Sequence, residues 1–192
     1  MAALVATVGG YVCCVVLLMS GLLHARHVGE LEAALRRQRL VPTGLIRACA
    51  VGVVTLESVL GAVGMLALSV LQTEAVTRAV LVVAGALFAG YAVYTAYLVS
   101  QGRRVPCGCS AADYPVNTAV VARAAGLSVA AFAAAAVAGD ALTLGGGEEF
   151  VTAAIAAIGL SAIVWALPAA LHAPSAPQPP APTLNVVVTE GL

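Results

Sequence analysis

Lysine is absent from this 192-residue chain, and charge of either sign is scarce. Nine arginines are balanced by nine acidic residues, charged positions make up only 9% of the chain, and aromatics only 5%. A soluble domain carries about 25% charged residues, so a chain this poor in charge cannot coat a water-exposed surface. The even balance also removes the basic face that a nucleic-acid binder requires. Nor is there a polar stretch long enough to hold a catalytic domain outside a bilayer. What the chain has instead is apolar, 61% of its residues. It reads as an integral membrane protein whose chemistry sits on helices and short loops, with the lipid bilayer as its first partner.

A bilayer core of about 30 Å takes about 20 apolar residues in helix. Five nearly charge-free windows of that length occur, over residues 2–23, 45–71, 79–100, 118–138 and 150–171. Lipid offers no water to backbone groups, so each window should be helical. The sequence thus predicts an all-α, polytopic helical bundle over 1–171. A Pro-rich, disordered tail is expected over 172–192. The first window lacks the basic flank and small-residue cleavage site of a signal peptide, so it is expected to be retained. Between the first two windows, Glu32 and Arg36 stand at i,i+4 and Leu31 and Leu35 share a face. An amphipathic interfacial helix is expected there, ended by Pro42, with Thr43 capping the next span.

Arginine placement sets the orientation. Arg26, Arg36, Arg37, Arg39, Arg47, Arg103, Arg104 and Arg123 fall on or near one side, against Arg78 on the other. The positive-inside rule puts the first side in the cytoplasm and the N-terminus outside, and the expected location is the plasma membrane, as a multi-pass protein.

The most informative stretch is Arg103-Arg104-Val105-Pro106-Cys107-Gly108-Cys109, between the third and fourth windows. Two thiols around one glycine can close a small, strained and easily reduced disulfide. They can equally grip a soft metal ion with ligands from elsewhere, Cys49, His24 and His27 being the candidates. Arg103 and Arg104 would favour the thiolate. Glu57, a carboxylate near mid-membrane, must be paired, protonated or functional. It can accept a proton, hydrogen-bond a quinone, or tie two helices together. Tyr91, Tyr94 and Tyr97 form an i, i+3, i+6 stripe that offers hydroxyls or serves as an interfacial belt. With Glu57, Tyr94 is the expected contact for a quinone cofactor. His24 and His27 read most simply as solvated interfacial side chains, and Cys13 and Cys14 as small apolar packing residues.

Three features together resemble the MauE family of methylamine-utilisation membrane proteins, within the wider DoxX-like redox-associated group. They are Ser20-Gly21-Leu22-Leu23-His24 closing the first span, Leu56-Glu57-Ser58 in the second, and Pro106-Cys107-Gly108-Cys109 after the third. Family members often follow the CysGlyCys with an aromatic and a glycine, where this chain has Ser110 and Ala111. The resemblance covers roughly residues 10–138 and implies a four-helix DoxX-like core, to which the fifth window adds a C-terminal transmembrane helix. It further implies a role in the maturation or disulfide handling of an exported client, methylamine dehydrogenase in the namesake system, together with a thioredoxin-like partner. On this reading Cys107 and Cys109 are the exchanging pair, Arg103 and Arg104 stabilise the thiolate, and Glu57 manages protons. A metal-binding membrane protein using the same cysteines and a structural subunit of a membrane complex are the alternatives. Disulfide formation belongs outside the cytoplasm, whereas the arginine count puts the cysteines inside. Either the topology is inverted or electrons pass outward through the bundle.

Overall fold

The computed structural model describes residues 2–71, 73–102, 116–138 and 147–171. Among these residues every regular element is helical. In chain order they are α1 (Ala2–Arg26), α2 (Val28–Gln38), a 3₁₀ turn (Thr43–Leu45), α3 (Ile46–Leu66), a π-helical turn (Ala67–Leu71), α4 (Glu74–Ser100), α5 (Thr118–Ala136) and α6 (Gly147–Ala170). Four helical stretches, Leu4–Arg26, Thr43–Leu71, Glu74–Ser100 and Thr118–Ala136, are long and apolar enough to cross a membrane. Within α6 the apolar run is shorter, Val151–Leu167. The outward faces carry Val5, Val93, Val129, Ile155 and Ile158, all more than 60% exposed. Such faces suit lipid and not water, and the chain is a membrane helical bundle.

Helix α1 is the axis of the bundle. Half of its apolar window is buried, against 28% for α4, and it packs on α3, α5 and α6. Tyr11, Cys13, Cys14 and Leu17 of α1 meet Leu60, Leu81, Phe88, Leu127 and Ala131 in one core cluster. Between lipid-embedded helices there is no hydrophobic driving force, so close backbone approach has to supply the attraction. The α1–α3 seam does this at Gly61, where a Cβ would lie 2.5 Å from the Leu18 amide nitrogen, and at Gly64, where one would collide with Cys14 Sγ. The cysteine side chains fit the apolar packing role: Cys13 Sγ donates to the Leu127 carbonyl at 3.4 Å.

Helix α2 is amphipathic and buries Leu31, Ala34 and Gln38 against the bundle. It stops earlier than the proline position suggests. Arg39 adopts φ 53°, and its N–H returns to the Leu35 carbonyl at 3.2 Å, a left-handed cap that ends the helix three residues before Pro42. Thr43 is not the cap of α3 either. It lies inside the 3₁₀ turn, and the capping position falls on Leu45, which offers no side-chain oxygen. By contrast α5 starts on a true cap, with Asn117 accepting from the Val120 N–H at 3.1 Å. At the far end of α3 the π-helical turn presents the Leu68 carbonyl to the Tyr11 hydroxyl at 3.1 Å, tying α1 to α3 at that end as well.

Candidate functional site

Glu57 sits in the middle of α3 and is 2% exposed. Three side chains from two other helices converge on its carboxylate. Ser20 Oγ donates to Oε2 at 3.0 Å, His24 Nδ1 lies 2.9 Å from the same oxygen, and the Tyr91 hydroxyl donates to Oε1 at 2.8 Å. Ser20 and His24 are one turn apart on α1, hence on one face. The Gly61 and Gly64 contacts fix the α1–α3 register that brings that face to Glu57. A carboxylate offers about four acceptor positions, and three donors occupy most of them. The carboxylate–imidazole pair can hold one proton between two buried groups.

A second polar contact lies one turn along α4, where the Tyr94 hydroxyl donates to Oε1 of the buried Gln38 and so ties α4 to α2. Both contacts border a cavity of about 430 Å³ among the helices. Leu17 and His24 of α1, Glu57 of α3 and Phe88 of α4 line it, α2 covers one end, and Leu127 and Trp165 complete the wall from α5 and α6. The Arg123 guanidinium stands 5.7 Å from the Trp165 ring centroid, a cation–π contact that joins α5 to α6. Cys49 is half-buried and also borders the cavity.

Of the expected site residues, Glu57 and Tyr94 are both on the cavity wall, in adjacent hydrogen-bonded clusters and not in one. Cys107, Cys109, Arg103 and Arg104 lie outside the described residues, as does the tail 172–192. His24 departs from the solvated reading: it is buried, 8% exposed, because its ring turns inward to Glu57. His27 is the exposed histidine, beside Glu30. The tyrosine stripe also splits, Tyr91 and Tyr94 facing the cavity and Tyr97 being 47% exposed. Among the described residues no group of three or more His, Cys, Asp and Glu is arranged to hold a metal ion.

The stretch that carries Ser20, His24, Glu57 and Tyr91 falls within a match to a known family. A model of the MauE family, described as methylamine utilisation protein MauE, matches residues 1–139. The chain belongs to the MauE family. The match takes in α1 to α5 and ends before α6, so Trp165 and the cavity wall it forms lie beyond the family's matched region. No curated protein and no solved structure matches the chain. It is a MauE-type, multi-pass membrane protein.

Proposed function

We propose that this MauE-type protein supports thiol–disulfide exchange in the plasma membrane, during maturation of an exported client, with Cys107 and Cys109 as the exchanging pair. One observation supports this reading above others. Leu98, before the segment bearing the cysteines, and Val116, after it, both border the cavity that holds Glu57 and His24. The described residues on either side of the CysGlyCys segment therefore border the same cavity as Glu57 and His24.

In the exchange, the thiolate of one cysteine attacks a disulfide of a thioredoxin-like partner. A new S–S bond joins the two proteins and the partner's other sulfur leaves as thiolate. The second cysteine then attacks the mixed disulfide, closing Cys107–Cys109 and releasing the partner as a dithiol. Two electrons pass to the partner, and the opposite direction uses the same steps in reverse. Arg103 and Arg104 hold the attacking sulfur as thiolate, and Glu57 with His24 stores the proton that the sulfurs exchange. The arginine distribution assigns this end of the bundle to the cytoplasm. The family description names methylamine utilisation, so an exported enzyme of that process is the first client to examine.

A mixed-disulfide trap tests the proposal. Cys109→Ser should leave Cys107 covalently joined to its partner in a reductant-sensitive adduct, identifiable by mass spectrometry. Normal client maturation in cells carrying Cys107→Ser and Cys109→Ser together would refute the exchange. A membrane-impermeant maleimide added to intact cells settles the side, and labelling of either cysteine from outside would invert the assigned topology.

A further inference from the structure

The cavity has features that thiol exchange does not use. Its volume of about 430 Å³ falls in the range of small-molecule sites, about 300–1,000 Å³. It lies among lipid-embedded helices and is walled mainly by aliphatic and aromatic side chains, so a charged guest is disfavoured. Two hydrogen-bonding clusters stand along one wall, Glu57 with Tyr91 and Gln38 with Tyr94. Their tyrosines are three residues apart on α4, a rise of about 4.5 Å. Phe88 and Trp165 border the same space. An acyl chain would use the apolar walls and make no polar contact with either cluster. A flat, uncharged ring with an oxygen at each end uses all three.

We propose that the cavity binds the ring of a membrane-soluble quinone or quinol, one oxygen at Glu57 and Tyr91 and the other towards Tyr94 and Gln38. The inference goes beyond the thiol reading and needs neither cysteine. Trp165 belongs to α6, outside the matched stretch 1–139, so one aromatic residue of the ring site lies beyond the region that the family model describes.

Trp165 is the only tryptophan in the chain, which makes it a built-in reporter. The full-length protein in nanodiscs, with no partner and no reductant, is titrated with decyl-ubiquinone while Trp165 fluorescence is followed. Quinone dissolved in the bilayer quenches linearly, whereas an occupied site adds a saturable phase. That phase should weaken at least tenfold in Glu57→Gln. It should disappear in Gly90→Leu, because Gly90 borders the cavity and a Cβ there meets no atom within 4 Å. Gly90 is exposed, so the added side chain stands at the cavity's open border and narrows it without displacing a helix. Linear quenching in the unaltered protein overturns the proposal. So does a saturable phase unchanged in Glu57→Gln, or a phospholipid that copurifies in one-to-one amount and resists displacement by decyl-ubiquinone. Because no thiol turns over in this titration, its outcome is independent of the mixed-disulfide trap.

Discussion

Replacing Gly61 by alanine tests the link between helix packing and the buried cluster. A Cβ at this position would lie 2.5 Å from the Leu18 amide nitrogen and 2.8 Å from Leu18 Cα and Cβ, where ordinary contacts begin at 3.4 Å. The obstacle is backbone, so no rotamer change relieves it, and α1 and α3 must part by about 1 Å because a packed interior transmits such a strain and does not absorb it. Overpacking of this kind costs about 1–3 kcal/mol. Glu57 is one turn before Gly61, so the same separation stretches the bonds from Ser20 and His24. Each is worth about 0.6 kcal/mol within a bilayer. The expected loss is about 3 kcal/mol, or roughly 6–12 °C in the unfolding midpoint for a chain of this size. Gly52→Ala is the control, since it lies on the same helix and a Cβ there meets nothing within 4 Å. Thermal unfolding of the two variants in nanodiscs makes the comparison. If Gly61→Ala is as stable as Gly52→Ala, close α1–α3 approach does not set the register of the site.

Other perturbations separate the components of the cluster. Glu57→Ala should destabilise by about 3–5 kcal/mol, since removing one member of a buried pair strands the other. Glu57→Gln, which keeps the shape and an acceptor oxygen, should cost less than half of that in the same unfolding assay. Tyr94→Phe should loosen α2 by about 1 kcal/mol, read as faster proteolysis between residues 27 and 42 with no change in the unfolding midpoint of the remaining helices. Asn117→Ala removes the cap of α5 at a cost of about 1 kcal/mol, and hydrogen exchange should rise at Val120 and Val121 while α4 stays protected.

The fold was legible because lipid imposes a simple rule on sequence. Windows without charge must be helices, and the four long apolar helices coincide with four of the windows. The site was legible only in part. Glu57 stood out because a carboxylate in such a window demands a partner, but the partner lies 33 residues away on another helix. Its identity depends on a register set by Gly61 and Gly64, which nothing in the pattern of apolar residues reveals. Ser20 and His24, four apart on an otherwise apolar face, were the available signal. The tyrosine stripe misled for a geometric reason. Each residue turns a helix by about 100°, so Tyr97 has rotated some 120° away from Tyr91 and reaches the outer surface while Tyr94 does not.

The bundle also has a mechanical grain. Helices α1 and α3 meet backbone to backbone, α4 and α5 are joined along their length, and α3 touches α4 only sparsely. Since α1 also packs on α5 and α6, the α3–α4 seam is the sparse one, and the Tyr91–Glu57 hydrogen bond is a stitch across it.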